Sequence, residues 1–323
     1  MKTRILLSLL AAGVLLAGCS KNENEEGGRG GTSDGQPVAI RLSSGIGDAS
    51  KAGTKAPVTA EVPATVQIEG WESSTGAADY TAATSDWQST ASVKVLTPEE
   101  IEADETANDI TLSPVQYYNA DENIKTYIKG WYPAVASADG EVTFTNTDGT
   151  VDVLYATEVS GDKNTEVDQP LVFNHKSAQL VFKVKKGEGL AAGTKIKTIK
   201  VKNTAIPTSL TLSSNTVNYT DMAELEVPNV TVEEIGETAA AAGDPLMVKP
   251  VDDNTTVKLY IETTTDDGTT VAATYDDVAL TTSDNKLTEG SAYTVTLTFK
   301  QVGISLEANI TPWIEATGEG EVI

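Results

Sequence analysis

The chain has 323 residues, 39% of them hydrophobic, and a formal net charge of −24 at pH 7. Its length suits one large or two ordinary domains, because single cores stop growing near ~250 residues. The acidity argues against nucleic acid or an anionic membrane surface as partner, and a single cysteine excludes an intrachain disulfide.

At the N-terminus, Lys2 and Arg4 precede an apolar run from Ile5 to Leu16. A spanning helix needs ~20 apolar residues, so this run reads as a signal peptide over residues 1–18. It ends in Leu16-Ala17-Gly18-Cys19, which resembles the lipobox of bacterial lipoproteins. The resemblance implies cleavage before Cys19 and a lipid, palmitate included, carried by that cysteine. Residues 19–36 start Ser20-Lys21-Asn22-Glu23-Asn24-Glu25-Glu26 and turn glycine-rich, a flexible tether with little apolar surface to bury. The acidic start also resembles the surface-export signal of lipoproteins from Bacteroidota. Lipid plus tether implies a chain anchored to the outer membrane, not one that spans it.

Beyond the tether, period-two alternation dominates, as expected of strands with one buried face. Val38, Ile40 and Leu42 alternate with Ala39, Arg41 and Ser43, which predicts a first strand over 37–46. The Gly-, Ser- and Ala-rich stretch Ser43–Thr54 reads as a linker; Lys51 and Lys55 lie in or beside it, the latter in Gly53-Thr54-Lys55-Ala56. Exposed linkers of this kind are where proteases cut. Weaker strands are predicted at Thr65–Gly70 and Val93–Leu96, and Thr97-Pro98-Glu99-Glu100 predicts a helix of one or two turns. Further weak strands follow at Tyr127–Trp131, Val142–Phe144, Val151–Tyr155 and Ile199–Val201. The clear alternations are Ala178–Lys185, Val257–Glu262, Tyr293–Lys300 and Ile304–Thr311. Asp139-Gly140, Asp148-Gly149, Asp267-Gly268 and Glu289-Gly290 supply turns. The sum is an all-β protein of two β-sandwich domains, divided in the polar stretch Gly161–Gln169, at 37–168 and 169–323, with no clear internal repeat.

Chemistry-bearing patterns are sparse. His175 is the one histidine, no Gly-x-Ser-x-Gly elbow accompanies it, and it reads as structural. Gly45-Ile46-Gly47-Asp48-Ala49-Ser50 is an incomplete dinucleotide fingerprint outside any βαβ unit, and so a loop. Asp252-Asp253 and Asp266-Asp267 lack the EF-hand spacing and read as solvated turns. Trp71, Trp87 and Trp131 could line a glycan site but are better placed filling sandwich cores. No catalytic residue, metal or cofactor is expected, and the chain reads as a non-enzyme.

Several segments together resemble the fimbrillin family, the type V pilins of Bacteroidales. They are the lipobox, Tyr127-Ile128-Lys129-Gly130-Trp131-Tyr132-Pro133, Asp152-Val153-Leu154-Tyr155-Ala156, Phe173-Asn174-His175-Lys176-Ser177-Ala178-Gln179-Leu180, and the C-terminal strands through Ile310-Thr311-Pro312-Trp313. The resemblance implies two transthyretin-like β-sandwich domains in tandem. It also implies lipoprotein export, proteolysis after a basic residue, and strand exchange between subunits. Carried onto this chain, the cut falls after Lys55, leaving Ala56 as the new N-terminus, with Lys51 as the alternative. The family often has Arg at that position; Lys here implies a Lys-specific or trypsin-like protease. The displaced strand holds Val38, Ile40 and Leu42. The donor is either Ile304, Leu306, Ala308 and Ile310 or the tail from Trp313 and Ile314 to Ile323. The implied function is a structural subunit of a cell-surface fimbria. The alternatives are a tip or minor pilin, or an adhesin binding glycan or protein, and after these a carbohydrate-binding or hydrolytic lipoprotein. Implied partners are further copies or related pilins, the protease, the outer membrane through the lipid, and a host or bacterial surface receptor.

Overall fold

The computed structural model describes residues 36–46, 63–93, 109–231, 233–265, 267–283, 285–301 and 303–312. Cys19, Lys51, Lys55, Ala56, Trp313, Ile314 and the helix predicted at Thr97–Glu100 lie outside the described residues. Among the described residues the secondary structure is all-β, arranged in four sheets around three apolar cores.

The first body uses β1 (Leu42–Ile46), β2 (Ala64–Ser73), β3 (Trp87–Val93), β4 (Asp109–Ile110), β5 (Lys125–Tyr132), β6 (Glu141–Thr143), β7 (Leu154–Gly161) and β8 (Leu171–His175). All but β6 form one sheet in the order β3-β2-β5-β7-β8-β1-β4. The sheet closes on itself. Beyond β4, the Ser113 amide donates to the Thr90 carbonyl of β3 at 2.8 Å, and the Thr90 amide returns the bond to the Ser113 carbonyl at 2.9 Å. Inside the closed wall lie Val66, Ile68, Ile128, Leu154, Leu171 and Phe173. The outer face of β2, β5 and β7 is buried too: Trp71, Trp131 and Tyr155 form a second core with Val142, Phe144, Leu210, Leu212 and Val217. Strands covered on both faces lose the polar–apolar alternation that marks a half-exposed strand, which is why β2 and β5 read weakly.

The cover over that outer face comes largely from far along the chain. β9 (Ala178–Lys186) and β10 (Lys195–Thr204) start the second body. The chain then returns with the hairpin β11 (Pro207–Thr211) and β12 (Thr216–Tyr219), which joins β6 in a three-stranded sheet ordered β12-β11-β6. It re-enters the second body as β13 (Ala223–Glu226), β14 (Ala240–Ala241), β15 (Leu246–Val248), β16 (Lys258–Thr264), β17 (Val271–Ala279), β18 (Ser291–Lys300) and β19 (Gly303–Pro312). There the sheets β13-β10-β16-β17 and β14-β9-β18-β19 face each other across Leu180, Phe182, Ile199, Leu259, Ile261, Val295, Leu297 and Phe299.

Several boundaries differ from the sequence reading. The division at 168 and 169 falls inside a sheet, since β8 pairs with β7 and β1, and the chain changes sheets between His175 and Ala178. The linker read from Ser43 is strand as far as Ile46, because β1 finds a second partner in β8. The same pairing places Gly45 and Ile46 in a strand, not a loop. The strand read at Val151–Tyr155 runs Leu154–Gly161 instead. Of the predicted turns, Asp139 and Gly140 both take positive φ, and the Ala138 and Glu141 backbones bond reciprocally across them, as a tight hairpin turn requires.

Candidate functional site

The leading strand is a stave of the closed sheet. The Ile40 amide donates to the Gln116 carbonyl at 2.9 Å, the Tyr118 amide donates to the Val38 carbonyl at 3.0 Å, and Leu42 pairs antiparallel with Ile110. Ser44, Gly45 and Ile46 then run parallel to Leu171, Val172 and Phe173. The short side-chain period of a strand sends alternate residues inward. Ile40 and Leu42 are 5% and 4% exposed, Val38 packs against the same core, and Arg41 faces solvent.

The walls beside this strand have supports of their own. One wall is β8, held by β7. The other is the segment 109–118, tied to β3 by the Thr90–Ser113 pair, by Ser89 Oγ donating to the Pro114 carbonyl at 2.6 Å, and by Gln116 Nε2 donating to the Gln88 carbonyl at 3.1 Å. The buried Tyr118 anchors its far end, its hydroxyl accepting the Val167 amide at 2.9 Å. The leading strand therefore lies in a slot between β8 and the segment 109–118, over a core that includes Leu171, Phe173, Ile110 and Leu112.

At the opposite end of the chain, β19 is an edge strand in full register with β18, from Ser291 against Pro312 to Lys300 against Gly303. Ile304, Leu306 and Ala308 pack partly buried against the second body's core, and Ser305, Glu307 and Asn309 are exposed. Its outer edge has no strand partner among the described residues.

A polar cluster couples the two bodies, and sequence reasoning gave it no role. Lys129 is 2% exposed. Its Nζ donates to the Leu212 carbonyl at 2.6 Å and to Asn215 Oδ1 at 2.8 Å, in the turn of the β11–β12 hairpin, and lies 3.6 Å from the centroid of the Tyr80 ring. The Tyr155 hydroxyl donates to the same Asn215 oxygen at 2.7 Å. Burial pulls the Lys129 ammonium down to about 8, against the opposing pull of the nearby Glu158 carboxylate. Its cross-strand neighbour Glu69 is fully buried and accepts from Gln67 Nε2, the Ser137 amide and the Ser137 hydroxyl. The only sequence signal was a lysine among apolar neighbours in Tyr127-Ile128-Lys129-Gly130-Trp131.

The match that decides the family is to the model described as fimbrillin-like, over residues 54–313. The chain belongs to the fimbrillin-like family. Of solved structures, a candidate cell adhesion protein of Bacteroides uniformis is similar at 19% identity and a TM-score of 0.53, covering 87% of this chain and 100% of that one. A candidate cell adhesion protein of Bacteroides ovatus is similar at 15% identity and a TM-score of 0.50, covering 87% and 99%. These likenesses concern the fold. No curated protein matches the chain.

Within this fimbrillin-like fold the other singled-out residues take structural places. His175 Nδ1 sits 2.9 Å from the buried Asp152 carboxylate, where the chain passes from the first body to the second. Trp71 and Trp131 are core residues, and Trp87 packs on the inner core. Asp253 Oδ1 accepts the Thr255 amide, and Asp267 Oδ1 accepts the amides of Thr269 and Thr270. Such Asx-type bonds hold turns. No group of three or more metal-ligating side chains occurs among the described residues, and no described helix is long and apolar enough to cross a membrane.

Proposed function

We propose that this chain is a structural subunit of a cell-surface fimbria, exported as a lipoprotein through Cys19, cut after Lys55 and assembled by strand exchange. The observation that carries the reading is the slot. Ile40 and Leu42 are buried side chains of a strand whose two flanking walls are held by other bonds. A cut in the stretch 47–62 would leave that strand attached through pairing and burial alone. Losing it uncovers apolar surface and unpaired backbone groups, and an incoming strand restores both.

The test is cleavage of purified chain after Lys55 with a trypsin-like or Lys-specific protease, followed by sizing. The expected product is a ladder of oligomers that persists after the leading segment is released. Protein that loses residues 36–46 and stays monomeric overturns the reading. N-terminal sequencing of protein shed from cells adds the second readout: Ala56 is expected, and lipidated Cys19 as the end of fibre-borne subunits would count against processing.

A further inference from the structure

Lys129, Asn215 and Glu158 bring an amine, a carboxamide and a carboxylate together from β5, the β11–β12 turn and β7. Lys129 Nζ lies 2.8 Å from Asn215 Oδ1. Lys176, Lys200 and Lys202, by contrast, donate to carboxylates and form ion pairs. A carboxamide differs from a carboxylate in having a leaving group, since its nitrogen can depart as ammonia.

We propose that Lys129 and Asn215 condense into an amide bond after the chain has folded, a modification that staples the β11–β12 hairpin covalently to the first body. The neutral Lys129 amine adds its lone pair to Asn215 Cγ, and the carbonyl π pair moves onto Oδ1. One proton passes from Nζ to the Glu158 carboxylate and on to Nδ2. The carbonyl re-forms, the Cγ–Nδ2 bond breaks and ammonia leaves. The product is a secondary amide between Nζ and Cγ, and the step consumes no oxidant or cofactor.

The surroundings favour each part of the step. Lys129 is 2% exposed, and burial pulls its ammonium down to about 8, so much more of the amine is neutral than in an exposed lysine. Its bond to the Leu212 carbonyl at 2.6 Å holds the nitrogen in place while the lone pair turns to the carbon beside Oδ1. Fixed proximity of this kind replaces a high concentration of reactant. The Tyr155 hydroxyl donates to Oδ1 at 2.7 Å, the atom on which charge develops. Burial pushes that hydroxyl's titration upward, so it stays a donor.

Glu158 sits beside Lys129 where the β5–β7 register shifts between Ile128 and Gly130. It accepts the hydroxyl of Tyr80, whose ring lies 3.6 Å from Nζ. Asn215 is exposed at the turn, which gives the ammonia a way out. The hydrogen bonds and titration of Lys129 are those of the newly folded chain, before the bond forms. Once formed, the link closes residues 129–215 into a covalent loop, and such a cross-link stabilises by restricting the unfolded chain.

The test follows the intact mass of full-length Cys19→Ser chain with time after folding, at pH values below and above about 8. The expected result is the loss of one ammonia per chain, faster at the higher pH. Digestion should then yield the Lys129 and Asn215 peptides joined, with Lys129 no longer cut by trypsin. Linked chain should unfold at a higher urea midpoint than newly folded chain. Lys129→Arg and Asn215→Ala chains should keep their full mass.

Glu158→Gln separates two roles. If Glu158 carries the proton, its loss slows linkage. If it only balances the ammonium's charge, its loss frees the amine and speeds linkage, which overturns the role given to Glu158 and leaves the bond standing. Wild-type chain that keeps its full mass at both pH values overturns the proposal, whether or not the variants fold. So does ammonia lost equally from Lys129→Arg, since Asn215 would then be cyclising onto its own backbone.

Discussion

Lys129 donates from Nζ to the carbonyl oxygen of Leu212 at 2.6 Å, from the wall of the first body into the turn of a hairpin that leaves and re-enters the second. The chain therefore crosses between the bodies three times: from β8 to β9, from β10 to β11, and from β12 to β13. Tyr219, on the same hairpin, adds a bond from its hydroxyl to the Lys176 carbonyl at 2.6 Å, next to the first crossing. Two bodies joined this way resist separation better than two joined by one linker, which suits a subunit placed in line in a fibre.

Lys129→Met keeps the apolar stem and removes the donors. The Leu212 carbonyl then loses the partner that Lys129 gives it, while Asn215 Oδ1 keeps the Tyr155 hydroxyl. An orphaned buried acceptor costs about 1–3 kcal/mol, less whatever is recovered by no longer burying a charge. The expected result is a lower urea midpoint with an unchanged slope. Unchanged stability would mean that the desolvation of the ammonium cancels its hydrogen bonds.

The pH dependence follows from groups around the same hairpin. Lys129 titrates near 10.5 when unfolded and is pulled down to about 8 by burial in the fold. Between those values the unfolded chain binds more protons, so stability rises with pH. Tyr80, Tyr155 and Tyr219 are pushed upward by burial from an ordinary value of 10. Above pH 10 the unfolded chain releases those protons first, so stability falls. Denaturation midpoints should climb from pH 8 toward pH 10 and then drop. Lys129→Met should flatten the climb and spare the drop.

How far the fold could be read from residues depends on how many faces each strand exposes. β18 and β19 alternate cleanly because one side of each meets the core and the other meets polar surroundings. β17 escaped notice for the opposite reason. It is an edge with mostly exposed positions, and its few apolar residues, such as Val271, Tyr275 and Val278, keep no strict period. The hairpin at Pro207–Tyr219 was illegible because its partner β6 lies far back in the chain. Local pattern does not specify such a pairing. Lys129 was hidden by its type, since a lysine in a strand ordinarily marks the wet face. The leading strand was legible as a strand from Val38, Ile40 and Leu42, but not its parallel pairing with β8, which depends on where the sheet closes.

Gly70 tests the packing of the wall next to the site. It lies opposite Trp87 across the β2–β3 pair, and a methyl group built on it would fall 2.1 Å from the indole ring. Gly70→Ala must therefore push Trp87 aside, at a cost of about 1–3 kcal/mol for overpacking. The expected result is a lower melting temperature together with a shift in tryptophan emission. A change in neither would show that β3 moves away without resistance, and the Thr90–Ser113 closure would then be weaker than its bond lengths suggest.

Leu42→Ala separates the uncut state from the processed one. In the uncut chain Leu42 is 4% exposed and touches the inner core. Truncation there should cost about 2–5 kcal/mol, through lost transfer energy and the cavity left behind. Once the chain is cut after Lys55 and residue 42 has left, wild type and variant are the same molecule and must show the same stability. Urea unfolding before and after cleavage measures both. Equal midpoints before cleavage would mean that the leading strand sits outside the cooperative unit. The slot would then be a surface seam with no driving force to accept a neighbour's strand.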